Sequence, residues 1–154
     1  ANASGKSNFI LALHTLKRMV VSSSRNHVGE GIDEYEPFLL DKTTAKQPSH
    51  FELYFIDSEQ VKHRYFIKYN HQAVLEERLD FYPNGQPANL FDRNQEEGDT
   101  HTVSLGKSLK NKRIGKTVFH NQLYLSRFGV KEPHEYLTKI FKYFQKIQIW
   151  NVCC

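Results

Sequence analysis

The sequence predicts an α/β fold in which one helix precedes an antiparallel sheet and further helices follow it. Three observations lead to this class. Apolar residues recur at helical spacing over residues 8–21, apolar and polar residues alternate over residues 51–69, and helical spacing returns after residue 117. Because periods of 3.6 and 2 residues belong to helices and strands respectively, the chain passes from helix to sheet and back to helix.

The first helix is predicted over Asn8 to Val21. Its apolar residues fall at positions i, i+4, i+7 and i+11, and they are Phe9, Leu13, Leu16 and Val20. Such a stripe suits a helix packed against a sheet. Ser22-Ser23-Ser24 ends the pattern, and residues 25–50 are interpreted as a long loop with one buried anchor at Phe38-Leu39-Leu40.

The sheet is predicted as an antiparallel meander over residues 51–93. Alternation on both sides of Asp57–Gln60 indicates a β-hairpin over residues 51–69. A third strand is expected over Val74–Tyr82, ended by Pro83-Asn84-Gly85, and a fourth over Ala88–Arg93. Four strands are close to the usual size of a sheet.

The C-terminal part is predicted to be mostly helical. One helix is expected over Val118–Phe128 with Gly129 as its C-cap, and Pro133 opens a last helix. The apolar face of that last helix consists of Leu137, Ile140, Phe141, Phe144 and Ile147. Ile149–Val152 resembles the start of another strand. The chain is thus expected to form a single incomplete domain, 1–154, with consecutive segments 1–24, 25–50, 51–93, 94–117 and 118–152.

The N-terminus carries the most specific chemical signal. A phosphate-binding loop has the pattern Gly, four residues, Gly-Lys-Ser/Thr, and Gly5-Lys6-Ser7 matches its end. The first glycine would fall one residue before Ala1, so we expect the chain to begin inside the motif. Small residues let backbone N–H groups approach phosphate oxygens, and the following helix adds the positive end of its dipole.

This motif predicts a site for ATP and Mg²⁺. Lys6 would reach the β- and γ-phosphates, and the Ser7 hydroxyl would ligate Mg²⁺. The predicted cofactor-binding residues are Asn2, Ala3, Ser4, Gly5, Lys6, Ser7 and Asn8.

Two further tripeptides of the same type do not complete the motif. They are Gly106-Lys107-Ser108 and Gly115-Lys116-Thr117, and the positions of their first glycines hold His101 and Lys110. No apolar strand precedes either one. Both are therefore interpreted as parts of a solvated loop spanning residues 94–117.

The composition limits the possible classes of protein. The 154 residues are 39% hydrophobic and 25% charged, and the formal net charge is +4. No apolar run approaches the roughly 18 residues that a membrane span needs, and no signal peptide is present, so we expect a cytoplasmic protein without membrane contact. Two adjacent cysteines, Cys153 and Cys154, form neither a disulfide framework nor a zinc site.

The remaining charged residues leave one alternative open. Residues 107–116 hold a basic cluster made of Lys107, Lys110, Lys112, Arg113 and Lys116. A solvated loop is one interpretation, and contact with nucleic-acid phosphates is another. A nucleic-acid-binding or scaffold module with a degenerate phosphate loop is therefore the alternative function. Glu76 and Glu77 lie on opposite faces of a strand and cannot share a substrate, and His63 is expected to be structural.

The order of these segments resembles the first lobe of an ABC-type ATPase head, the group that includes the SMC and Rad50-like proteins. It resembles still more the AAA-like, ABC-class ATP-binding proteins of bacterial abortive-infection and phage-defence systems. The matching segments are Asn2–Asn8, Pro37–Asp41, Pro48–Phe55, Val61–Tyr69, Glu77–Leu79, Leu90–Arg93 and Asn121–Ser126. Only the first of them is chemically specific.

The resemblance implies ATP binding with Mg²⁺, a homodimer of full-length heads, and hydrolysis that controls an effector, plausibly a nuclease. Gln95 is a candidate for the residue that senses Mg²⁺ and the γ-phosphate. The signature, Walker B and switch residues are not identifiable in this sequence. For this reason no catalytic residue is assigned, and residues 1–154 alone are expected not to hydrolyse ATP.

Overall fold

The computed structural model describes residues 3–34, 47–110 and 113–149, with side chains from Asn8 onward. Several predicted features lie outside the described residues. They are Asn2 of the motif, the anchor Phe38-Leu39-Leu40, Lys112 of the basic cluster, and all but the first residue of the terminal strand at Ile149–Val152.

An α/β architecture is observed, with one five-stranded antiparallel sheet at its centre. The strands are β1 (Ser49–Ile56), β2 (Lys62–Tyr69), β3 (Val74–Phe81), β4 (Ala88–Asn94), β5 (Thr100–Thr102), β6 (Ser104–Leu105) and β7 (Thr117–Phe119). The central sheet has the order β1-β2-β3-β4-β6, and β5 pairs with β7 in a separate two-stranded sheet. The four long strands agree with the predicted meander.

Alternation along the strands decides which face of the sheet is buried. Leu53, Tyr65, Leu79 and Phe91 are register partners across β1 to β4, and the last three are fully buried. Charged residues, such as the ion-paired Glu52 and Arg64, occupy the opposite, more exposed face. A strand pattern of period 2 therefore makes one apolar face, and that face must be covered.

The helix α2 (Glu135–Lys146) covers this face. Phe144 packs with its ring centroid 5.4 Å from Phe55 and 5.6 Å from Tyr65. The predicted apolar face is confirmed, since Leu137, Ile140, Phe141 and Phe144 are buried. His134 caps the helix, because its Nδ1 accepts hydrogen bonds from the backbone N–H groups of Tyr136 and Leu137.

The helix α1 (Ala3–Ser22) packs against α2. It begins five residues before the predicted start at Asn8, and a short 3₁₀ helix, Ser23–Arg25, continues from it. A second 3₁₀ helix, Leu125–Gly129, also contacts α1. None of the helices within residues 3–34, 47–110 and 113–149 has both the length and the hydropathy of a bilayer span.

The prediction of a helix over Val118–Phe128 is wrong. Val118 instead lies in β7, paired with His101, and regular 3₁₀ structure begins only at Leu125. The backbone N–H groups of Leu123, Tyr124 and Leu125 donate to side chains, namely Ser23 Oγ and the Glu77 carboxylate. Because these N–H groups are occupied by distant side chains, they cannot form α-helical hydrogen bonds.

The prediction of a solvated loop over residues 94–117 is also wrong in part. This stretch contains β5 and β6, and Val103, Leu105 and Leu109 are buried. Strands of two and three residues are too short for a period to be visible in the sequence. Gly106 lets the chain run against β4, because a Cβ there would lie 1.7 Å from the carbonyl oxygen of Asn89.

Candidate functional site

The predicted phosphate-binding residues lie at the beginning of α1. The backbone of Ala3–Ser7 forms its first turns, and Asn8 is exposed. The first four N–H groups of any α-helix have no partner within the helix, and the positive end of the dipole lies there. The backbone around Gly5 and Lys6 therefore suits an anionic group. The structure describes only the backbone of residues 3–7, so the roles of the Lys6 and Ser7 side chains remain predictions.

The two halves of α1 have different surroundings. Leu16 and Val20 of the predicted apolar stripe are buried in the C-terminal half, together with Met19. In the N-terminal half, Phe9, the first residue of that stripe, is 62% exposed, and Leu11 is 57% exposed. Among the described residues, the fully buried side chains of α1 therefore lie at the end opposite the motif.

The end of α1 is held by residues 121–126, which we call the anchor segment. Ser23 Oγ accepts a hydrogen bond from the backbone N–H of Leu123 at 3.0 Å. The backbone N–H of Ser24 donates to Ser126 Oγ at 2.9 Å. Both serines at the end of α1 are buried, so these bonds are shielded from water.

The two amide side chains of the anchor segment extend these contacts. Gln122 Nε2 donates to the carbonyl oxygens of Asn26 at 2.7 Å and Ser24 at 3.3 Å. Asn121 Nδ2 donates to the carbonyl oxygens of His27 at 2.7 Å and Glu30 at 3.1 Å. The chain leaving α1 is thereby bound to the anchor segment along its first eight residues.

A buried ion pair connects the same segment to the sheet. Glu77 on β3 and Arg93 on β4 are register partners, and their side chains are fully buried with Nε and Oε2 3.1 Å apart. Glu77 accepts further hydrogen bonds from Tyr65 Oη and from the backbone N–H groups of Tyr124 and Leu125. Arg93 Nη2 donates to the carbonyl oxygen of Gln122 at 2.6 Å.

Burial and charge act in opposite directions on the pKa of Arg93. Desolvation lowers the pKa of Arg93, while the neighbouring Glu77 carboxylate opposes that shift. The same burial, together with the charge of Glu77, raises the pKa of Tyr65 well above its ordinary value. Glu77, Arg93 and Tyr65 therefore have a structural role, because together they hold the anchor segment against the sheet.

Glu76 and Glu77 lie on opposite faces of β3, as predicted from the sequence. The structural roles of Glu77, of Arg93 and of the amide side chains of Asn121 and Gln122 were not predicted. A signal was present, because Glu77 and Arg93 occupy positions that the alternation with Leu79 and Phe91 assigns to the buried face. A charged residue at such a position indicates a paired, hydrogen-bonded group.

Gln95 lines a cavity of about 760 Å³. Among the described contacts it has none with α1. Its backbone N–H donates to the carbonyl oxygen of Leu75 at 2.8 Å. The cavity is also lined by Gly29–Gly31, by the turn His71–Ala73 and by residues 96–99. Its surroundings are thus the chain that follows α1 and the β2–β3 turn, and its proposed role toward Mg²⁺ remains a prediction.

His63 has a structural role, as expected. It is fully buried and stacked on Phe55 at 5.0 Å, with Nε2 2.6 Å from Tyr136 Oη and Nδ1 3.0 Å from the carbonyl oxygen of Val61. Among the described residues, no three His, Cys, Asp or Glu side chains are grouped so that they could hold a metal ion.

The two additional Gly-Lys-Ser/Thr tripeptides have structural explanations. Gly106 packs against β4, and its backbone N–H donates to the carbonyl oxygen of Leu90. The N–H of Gly115 donates to Glu132 Oε1, and its carbonyl oxygen accepts from Tyr124 Oη. Within residues 3–34, 47–110 and 113–149 neither tripeptide begins a helix, so among the three copies the N-terminal one has the described context of a phosphate-binding loop.

Comparison with known proteins agrees with that context. Residues 1–119 match the family model described as "AAA domain, putative AbiEii toxin, Type IV TA system". The match covers 119 of 154 residues, from the N-terminal motif through the whole central sheet to β7. Neither the curated proteins nor the solved structures compared with the chain gave a match.

Proposed function

Because this chain belongs to that family of AAA-like P-loop ATPase domains, we propose that it binds ATP with Mg²⁺ at the beginning of α1. The observation that carries the proposal is the position of Gly5-Lys6-Ser7 in the first turns of a helix whose other end is buried. Free N–H groups in that turn fit a phosphate group. Bound ATP–Mg²⁺ would supply the phosphoryl group for hydrolysis.

In this proposal each motif residue has a defined task. Backbone N–H groups near Ala3, Ser4 and Gly5 bind phosphate oxygens, and Lys6 contributes a positive charge at the β- and γ-phosphates. The Ser7 hydroxyl contributes one ligand to Mg²⁺. Asn2 and Asn8 border the site.

For the whole protein, we propose that two heads of the SMC and Rad50-like type form a homodimer around ATP. Hydrolysis would then control an effector, such as a nuclease, in abortive infection or phage defence. The family description, which refers to a toxin of a toxin–antitoxin system, supports this context. Exposed Lys107, Lys110, Arg113 and Lys116 support the alternative of contact with nucleic acid.

The nucleotide site is tested by Lys6→Ala, with Lys107→Ala as the matched control. Both lysines follow glycine and precede serine, but Lys107 lies exposed in the turn after β6. A hydrogen bond to a charged group contributes about 1.5–3 kcal/mol, so Lys6→Ala should weaken Mg–ATP binding about tenfold to a hundredfold. Isothermal titration calorimetry measures the Kd, and Lys107→Ala should leave it unchanged. Equal affinities of the two variants and the wild type would refute the assignment.

A further inference from the structure

We propose that Gln122 is a positioning residue for the nucleotide site, because it fixes the direction of α1 relative to the sheet. The inference rests on the proposed function. Gln122 would not touch the nucleotide; it would act through the helix that carries the motif.

Gln122 makes contacts in both directions. Its side chain donates to the carbonyl oxygens of Ser24 and Asn26, directly after α1. Its own carbonyl oxygen accepts from Arg93, which Glu77 holds on the sheet. Gln122 is only 5% exposed, so water does not compete well for these bonds. One residue therefore connects α1 to β3 and β4.

The length of α1 magnifies any error at this end. Lys6 lies 14 residues before Val20, which corresponds to about 21 Å along a helix with a rise of about 1.5 Å per residue. A rotation of about 5° around the buried half would move the motif by about 2 Å. Because Ala3–Ser7 move together with α1, the shift matters relative to groups on the sheet side such as Gln95, and displacements of about 1 Å can cost about a hundredfold in activity. The exposed N-terminal half, with Phe9 and Leu11, offers little resistance to such a rotation.

On the sheet, the contact between Gln122 and Arg93 lies near the cavity that Gln95 lines. Arg93 precedes Gln95 by two residues at the end of β4. A change at that edge of the sheet therefore reaches α1 through Arg93 and Gln122. Arg93 and Gln122 thus form one of the described connections between the chain that leaves α1 and the edge of the sheet beside the cavity.

The test compares Gln122→Glu with the neighbouring Asn121→Asp. Both substitutions keep the shape of the side chain and remove donors to backbone carbonyl groups, but Asn121 binds His27 and Glu30, further from α1. We expect Gln122→Glu to raise the Kd for Mg–ATP about tenfold at pH 8, and Asn121→Asp to leave it within about twofold of the wild type. Urea denaturation of both variants shows whether their losses of stability are comparable.

A pH series, with the free energy of unfolding measured by urea denaturation at each pH, separates positioning from general destabilisation. At low pH the introduced carboxyl becomes protonated and can donate again, so the affinity of Gln122→Glu relative to the wild type should recover between pH 8 and pH 5.5. Gln122→Met, which has a similar volume and no donor, should show the weaker binding without the recovery. It also replaces Gln122→Glu if that variant does not fold.

Each outcome has a distinct meaning. If Lys6→Ala does not weaken Mg–ATP binding, the proposed function fails. If Lys6→Ala weakens binding but the Gln122 variants bind as well as Asn121→Asp, only the positioning role is overturned. A loss of affinity in Gln122→Glu and Gln122→Met, with recovery at low pH only in the former, supports the positioning role.

Discussion

At the scale of single residues, two adjacent glutamates on β3 have opposite environments. Glu76 pairs with Lys68 at 3.5 Å on the outer face, where the two side chains are 44% and 40% exposed. Glu77 is buried, and it is bonded to Arg93, Tyr65 and two backbone N–H groups of the anchor segment. The alternation of a strand thus places the same residue type in water at one position and in the core at the next.

This pair allows a matched prediction. Glu77→Gln keeps the shape but leaves Arg93 buried without a counter-charge, and breaking a buried ion pair costs about 3–5 kcal/mol. Glu76→Gln removes only an exposed ion pair and should cost less than about 0.5 kcal/mol. Urea denaturation followed by circular dichroism measures both free energies of unfolding. Similar values for the two variants would mean that the buried pair does not hold the anchor segment as described.

At the scale of elements, α1 is a helix with one buried and one exposed half. Leu16, Met19 and Val20 contribute to the core, whereas Phe9 and Leu11 do not. Burying a side chain of this size contributes roughly 1.5–3 kcal/mol, so the stability of the helix is concentrated in its C-terminal half. The central strands β2 and β3 have paired neighbours on both sides.

Hydrogen exchange should reveal this gradient. We expect amides of residues 5–12 to exchange faster than those of residues 16–22, and β2 and β3 to be the slowest, because local opening follows the local burial of apolar groups. Mass spectrometry of peptic fragments resolves these segments. Protection of residues 5–12 equal to that of β2 would show that contacts outside the described residues stabilise the helix start.

At the scale of the whole molecule, buried histidines couple stability to pH. Burial lowers the pKa of His63, against the opposing effects of Asp57 and the carbonyl oxygen of Val61. Burial, reinforced by the charges of Arg93 and His120, also lowers the pKa of His101. Both side chains are therefore neutral in the folded protein at a pH where the unfolded chain already binds a proton.

The sign of the pH dependence follows from these directions. The ordinary pKa of histidine is about 6.5. Above it neither state binds the protons, and between it and the lowered pKa values of the folded protein only the unfolded state does, so the free energy of unfolding should fall as the pH falls below about 6.5. His63→Gln should make this decrease between pH 7 and pH 5 less steep, and His14→Gln, at an exposed position, should not change it. A His63→Gln slope equal to that of the wild type would contradict the assignment.

Much of the architecture could be predicted from local pattern. The hairpin strands β1 and β2 alternate over eight residues each, and α2 shows its apolar face at helical spacing. The phosphate-binding motif was identifiable because Gly5-Lys6-Ser7 comes before a clear helical stripe. In each case the signal lies within a few neighbouring residues, and the family match of residues 1–119 supports the class of domain.

The sequence by itself therefore determined the order of the four long strands along the chain, the apolar face of α2, and the pattern of the nucleotide motif. Only the tertiary structure decided the conformation of the anchor segment, which lies within the stretch 118–128 that was predicted to be helical. Its N–H groups bind Ser23 and Glu77, which lie about 100 and 50 residues away in the chain. In an α-helix those same N–H groups would donate to carbonyl oxygens of the helix itself. A pattern of neighbouring residues does not show that distant side chains, here Ser23 and Glu77, will accept these hydrogen bonds instead.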